Sequence, residues 1–211
     1  MAIDQGHAQP PPTDLATRKI PLIKASALSE KTWHRIGKST RDPLYYTNDS
    51  GWRFSRKDMR GTLYLGATID TCFWEVFWDD LATRPPEERR IDAGKVLERS
   101  AWTASVPKGL TLVNTLDAQG MIDLGAHGGT FNGPYAICQE WAKALREHPM
   151  KPHGILYGSA RNVGSKCLAL FQEYEGTFAP SFSNQTPLSN HSGLAAILTQ
   201  NGFPPALVDK I

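Results

Sequence analysis

Apolar residues gather along this chain in two kinds of run, some short and bounded by glycines, others recurring every three to four positions, and the spacing separates strands from helices. Thr62-Leu63-Tyr64-Leu65 lies between Gly61 and Gly66 and predicts a buried strand. Ala67 to Trp78 follows at once, with Ile69, Cys72, Phe73 and Val76 on one helical face. Trp74 and Trp78 fall on the opposite face, so a second layer of the same domain or another chain is expected to cover them. Tyr135, Cys138, Trp141, Ala142 and Leu145 stand at helical spacing, which makes Pro134 to Arg146 an amphipathic helix opened by its proline. Gly154 to Gly158 and Cys167 to Phe171 read as two more strands, paired across a turn at Asn162-Val163-Gly164. Strands and helices mix without regular βαβ alternation, which predicts an α+β domain.

The ends differ from this middle. Met1 to Ala16 carries Pro10-Pro11-Pro12 and few apolar side chains, so residues 1–16 are expected to form a flexible arm. Residues 17–175 have globular composition and form the domain proper. Gly176 to Gly193 is rich in Ser, Asn, Thr and Pro and predicts a long surface loop; Leu194, Ile197 and Leu198 suggest a short helix behind Ser192, and Pro204 opens another turn. Residues 176–211 are thus expected to pack on the same domain. With 211 residues, 40% of them hydrophobic, the chain can bury one core without staples.

Charge narrows the partners. The 23 basic and 21 acidic residues are interspersed, which leaves no basic stripe to track a phosphate backbone, so nucleic acid is not the expected partner. The three cysteines, Cys72, Cys138 and Cys167, are odd in number, far apart and set among apolar neighbours, as free thiols in a reducing compartment would be. The six histidines show no metal-binding spacing, so no metal is expected. The N-terminus lacks the apolar core of a signal peptide and nowhere do ~18 apolar residues run uninterrupted. A protein acting in the cytoplasm, away from membranes, is the expectation.

Candidate chemistry rests on a few polar residues in apolar settings. Glu75 places one charge inside Cys72-Phe73-Trp74-Glu75-Val76-Phe77-Trp78, at the flank of the apolar face; it is either a half-exposed carboxylate beside two tryptophans or a group with a partner and a task. Arg53 sits between aromatics in Gly51-Trp52-Arg53-Phe54-Ser55, suited to a bidentate grip on a phosphate or a carboxylate, that of Glu75 included, or simply stacked on Trp52. Tyr64 reads as core with a satisfied hydroxyl, or as a ring wall. Ser159 ends a strand without the Gly-x-Ser-x-Gly elbow of a nucleophile, which favours a capping role. Gly125-Ala126-His127-Gly128-Gly129 lacks the spacing of a phosphate loop and reads as a flexible connection.

Taken together these segments resemble the RES domain, the toxin half of a family of bacterial toxin–antitoxin systems. His34-Arg35 followed by Gly51-Trp52-Arg53-Phe54-Ser55 resembles its opening motif, a Tyr/His-Arg pair and then Gly-Gly-Arg-Trp-Asn. Leu63-Tyr64-Leu65-Gly66 through Trp74-Glu75-Val76 resembles its strand-to-helix motif, and Trp141, Gly154 to Arg161 and Leu170-Phe171 its late motif, over about 140 residues from Thr32 to Phe171. Gly158 departs from the usual proline, Phe54-Ser55 from Trp-Asn, and the interval from Arg53 to Tyr64 is a residue longer than usual, which leaves Arg56 as a rival for the family arginine. The resemblance implies an ADP-ribosyltransferase-like split β-core with flanking helices. It also implies an enzyme that cleaves NAD⁺, as substrate and not as prosthetic group, at the nicotinamide–ribose bond. The acceptor would be water or phosphate, with transfer of ADP-ribose to a protein and a non-catalytic NAD-binding module as the alternatives. It assigns Arg53, Tyr64, Glu75 and Ser159 to catalysis and Arg35, Arg53, Tyr64 and Ser159 to holding NAD⁺. The partner it implies is a neutralising antitoxin of the Xre-like kind or an immunity protein, with a homo-oligomeric contact, in the cytoplasm or as an exported effector.

Overall fold

In the computed structural model, which describes residues 8–83, 85 and 88–200, eight strands form one sheet. They are β1 (Leu22–Lys24), β2 (Trp33–Lys38), β3 (Thr62–Gly66), β4 (Arg99–Ser105), β5 (Thr111–Asn114), β6 (Gly154–Gly158), β7 (Lys166–Phe171) and β8 (Ser181–Pro187), in the spatial order β1-β5-β6-β7-β3-β2-β4-β8. Every pair is antiparallel except β5 with β6. The helices are α1 (Ile69–Ala82), α2 (Ala93–Leu97), α3 (Ala118–Leu124), α4 (Tyr135–Glu147), α5 (Glu175–Phe178) and α6 (Ser192–Gln200). The α+β class expected from the irregular alternation is the one observed.

The sheet is not uniformly joined. β2 pairs with β4 along its whole length and β3 with β7 over all five residues, but β2 and β3 meet at a single pair, His34 opposite Gly66. Beyond it the two strands part. The sheet is therefore split into β1-β5-β6-β7-β3 on one side and β2-β4-β8 on the other. Gly66 makes the junction possible, because a Cβ there would lie 2.8 Å from Cys72 Sγ in the first turn of α1.

The larger half is covered on both faces, and strand periodicity sorts its side chains. Ile155, Tyr157, Cys167, Ala169 and Phe171 join α3, α4 and Phe54 in one core, while Leu156, Leu168, Leu170, Leu63 and Leu65 join a second core with Trp33 and Leu112 on the opposite face. β6 and β7 pair from Gly154 opposite Leu170 to Gly158 opposite Lys166, as their turn predicted. A third core packs α1, Val96 of α2 and α6 with Ile36 and Ala101 of the smaller half.

Three expectations are corrected. Of the N-terminal arm, the described residues are docked: Leu15 is buried, and the Gln9 carbonyl accepts a 2.8 Å hydrogen bond from Trp141 Nε1, whose buried N–H needs an acceptor. The loop expected over 176–193 contains α5 and edge strand β8; its polar sequence hid it because β8 is held by backbone pairing to β4 and buries almost no side chain. Trp74 does not await another chain, since it is buried in the same apolar cluster as Leu194, Ile197 and Leu198 of α6, and Trp78 packs against that cluster with Arg161 over its ring. The turn expected at Pro204 lies outside the described residues.

Candidate active site at the split in the sheet

α1 starts directly after the junction strand, capped by Thr68 Oγ1, which accepts from the Thr71 amide at 3.1 Å. This places Glu75 on the second turn, half-buried, at the wall of the cleft that the parting strands leave open. Among the described residues no cation, Arg53 included, forms an ion pair with it. Ser159 Oγ donates to Glu75 Oε1 at 2.6 Å, the short length of a charge-assisted bond. The same Oγ accepts the Arg161 amide at 3.1 Å and the Asn162 amide at 2.9 Å. A hydroxyl has one proton and two lone pairs, so with both lone pairs engaged the proton is committed to the carboxylate. Ser159 is thus at once the turn cap that its position at a strand end suggests and the group that orients Glu75.

The turn bearing Ser159 is itself tied to α1. Asn162 Nδ2 donates to Asp70 Oδ2 at 2.8 Å, and Thr71 shares a short hydrogen bond with Ser165. Two elements 84 residues apart in sequence are therefore held in one register. Glu75 Oε2 has no hydrogen bond among the described residues, which leaves it available to whatever enters the cleft.

The cleft encloses about 340 Å³, within the usual range of small-molecule sites. Arg35, Arg53, Tyr64 and Glu75 all line it, together with Trp52, Tyr135 and Tyr157. Ser159 stands behind this wall and reaches the cleft through Glu75. Six cationic residues (Arg35, Lys38, Arg41, Arg53, Arg99, Arg161) face three acidic ones (Asp42, Glu75, Asp79) in the lining, a local surplus that the interspersed sequence charges conceal. One of the arginines is nearly sealed from solvent and a second is partly buried. Arg53 is 5% exposed; Nη1 donates to Asn132 Oδ1 at 3.0 Å and its guanidinium lies between the rings of Tyr135 and Tyr157, yet its Nε has no acceptor. Arg35 donates Nη2 to the Tyr45 carbonyl at 2.8 Å, but its Nη1 is likewise buried without a partner, and burial draws its pKa down to about 10. Orphaned donors on buried cations are costly. Arg56 is not in the lining of the cleft and pairs with Asp58, Nη2 to Oδ2 at 2.7 Å.

Tyr64 has the satisfied hydroxyl expected of a strand tyrosine. Its hydroxyl accepts the Phe54 amide at 2.9 Å and shares a 2.8 Å bond with Ser55, and the indole of Trp52 stacks on its ring at 5.4 Å. Cys72 and Cys167 also line the cleft as free thiols; burial pushes Cys72 up to about 12 and Cys167 well above the ordinary thiol value, so neither supplies a thiolate nucleophile. Gly125, with φ of +79°, ends α3 and belongs to no anion cradle.

Residues 32–187, about three quarters of the chain and the whole of the cleft, match the RES domain. The chain belongs to the RES-domain family. Among solved structures, a chain of the M. tuberculosis MbcT–MbcA toxin–antitoxin complex superposes with a TM-score of 0.58 at 16% identity, over 88% of this chain and 98% of that one. At such identity the likeness is one of fold. Among curated proteins none matches this chain in sequence.

Three contributors to this RES domain went unread in sequence. Gln139, on the buried side of α4, spends its amide on the carbonyls of Ser50 (2.9 Å) and Trp52 (3.0 Å), which pins the loop that delivers Trp52 and Arg53. A polar residue one position from Cys138 on an amphipathic helix was the available signal. Asn132 and Tyr157 gave none, as their roles depend on a loop and a core ring meeting Arg53.

Proposed function

We propose that this RES domain cleaves NAD⁺ at the nicotinamide–ribose bond and is the toxin of a toxin–antitoxin pair. The observation that carries the reading is the Ser159–Glu75 hydrogen bond at the wall of a cationic cleft, a carboxylate with one oxygen fixed and the other free. Arg35 and Arg53, both in the lining of the cleft, suit the diphosphate of a dinucleotide. As the C–N bond breaks, nicotinamide leaves with the electron pair and positive charge develops on the ribose. A carboxylate held beside that carbon stabilises the transition state more than the neutral ribose of the ground state. The ADP-ribosyl group then passes to water or phosphate. Neutralisation by a cognate antitoxin rests on the fold shared with a chain of a toxin–antitoxin complex.

Incubation with NAD⁺ labelled in the adenylate tests the reading directly. Nicotinamide release with label confined to small molecules is the expected result. Label on protein would turn the reading towards mono-ADP-ribosyl transfer, and label remaining in intact NAD⁺ would reduce the domain to a binding module.

A further inference from the structure

Among the described residues the large aromatic side chains that stay more than a third exposed are Tyr45, Trp52 and Tyr135, and all three line the cleft. Trp52 is 40% exposed but firmly placed. Its amide donates to the Asp49 carbonyl at 3.1 Å, its carbonyl accepts from Gln139, and one ring face lies on Tyr64 at an interplanar angle of 29°. A fixed indole whose outer face is left to solvent is a platform for a flat ligand. Tyr64 cannot take that part, because Trp52 occupies the face the two rings share and the hydroxyl is spent on Phe54 and Ser55.

We infer that Trp52 carries the substrate's aromatic cation, the positively charged pyridinium ring of the oxidised dinucleotide, with Tyr64 as its backing. This rests on the reaction proposed above. The pyridinium belongs beside Trp52 because the bond that breaks must lie at Glu75, and Trp52 and Glu75 line the same cleft. Tyr45, under Arg41 on the segment that follows β2, is left for the other end of the ligand. An indole face attracts a cation through its quadrupole and prefers a charged ring to a neutral one. Trp52 therefore selects the oxidised over the reduced dinucleotide. The attraction fades as the bond breaks, since the charge moves from ring to ribose, so the contact strengthens substrate binding without lowering the barrier from the bound state.

The test has two arms. In steady-state nicotinamide release, Trp52→Leu is expected to raise KM about three- to thirty-fold with kcat undiminished or raised, and Trp52→Phe to fall between. In Glu75→Gln protein, which retains the ligand uncleaved, NAD⁺ is expected to quench tryptophan fluorescence and to give a long-wavelength indole–pyridinium charge-transfer band. ADP-ribose, which lacks the pyridinium, gives no band, and Trp52→Leu in that background abolishes it. An unchanged KM in an active Trp52→Leu enzyme overturns the inference and leaves the proposed reaction standing. So does equal quenching by ADP-ribose that Trp52→Leu removes, which puts adenine on the indole. Wild-type protein that neither binds nor cleaves NAD⁺ overturns both.

Discussion

Replacing Ser159 by alanine removes one oxygen and three hydrogen bonds, and each loss has a separate readout. The 2.6 Å bond to Glu75 Oε1 is a charge-assisted contact of the class that contributes about 1.5–3 kcal/mol. Without it the carboxylate keeps its charge but not its direction. If that orientation is needed only as charge develops on the ribose, the full amount appears in kcat, a fall of about ten- to a hundred-fold with KM little changed. The amides of Arg161 and Asn162 lose their common acceptor at a 5%-exposed site, which costs roughly 1–3 kcal/mol of stability, and a melting curve taken beside the kinetics reads that loss independently. The decisive measurement is a double-mutant cycle with Glu75→Gln. Glu75→Gln alone is expected to cost about 10²–10³-fold in kcat with the fold intact. Because Ser159 acts through Glu75, Ser159→Ala added to Glu75→Gln should cost almost nothing more, a coupling close to the whole effect of the serine. A further ten-fold loss in the double variant would mean that Ser159 touches the substrate on its own account, and the positioning argument would fail.

Arg53→Lys keeps the charge but not the planar fork between Tyr135 and Tyr157, and equilibrium titration should show NAD⁺ bound about ten- to a hundred-fold more weakly; a normal Kd would move the anion site to Arg35 alone. Arg146, 5% exposed, pairs with Glu173, donates to Thr62 Oγ1 at 2.8 Å and covers Phe171, so Arg146→Met is expected to cost about 3 kcal/mol, roughly 6–12 °C in Tm by calorimetry, with NAD⁺ cleavage per folded molecule unchanged. His34 and His153 are held below their ordinary pKa of 6.5, by burial in both and additionally by the charge of His191 at His34. The unfolded chain takes up those protons first, so their stabilisation is complete above pH 6.5 and is lost as pH falls from there towards the depressed folded values. Denaturant midpoints between pH 7.5 and 5.5 should decline on that lower side, and a midpoint that rises on acidification would contradict the assignment.

What could be read from sequence followed the strength of the local pattern. The strand at Thr62–Gly66, the helix carrying Glu75 and the β6–β7 hairpin announce themselves because each buries side chains at its own period. β8 does not, since a polar edge strand owes its place to backbone pairing with β4 and to nothing in its side chains. The site divides in the same way. Glu75 and Ser159 stand out as polar residues in apolar or strand-end settings, but that each is the other's partner is a fact of packing across 84 residues. The tryptophans of α1 mislead, for helical periodicity shows two faces and cannot show that α6 joins the cluster holding the second.

The single residue pair joining β2 to β3 has a consequence for how such a domain can vary. The 39–61 segment that links these strands carries Tyr45, Trp52 and Arg53; the strands it connects share only His34 and Gly66, and the segment itself is tied to β3 at one bridge, Thr47 opposite Thr62. Away from that bridge, aromatic exchanges can reshape what the cleft admits without shifting the β3–β7 ladder or the Ser159–Glu75 pair. Under the proposed reaction, ligand recognition and bond cleavage would be carried on different parts of the chain.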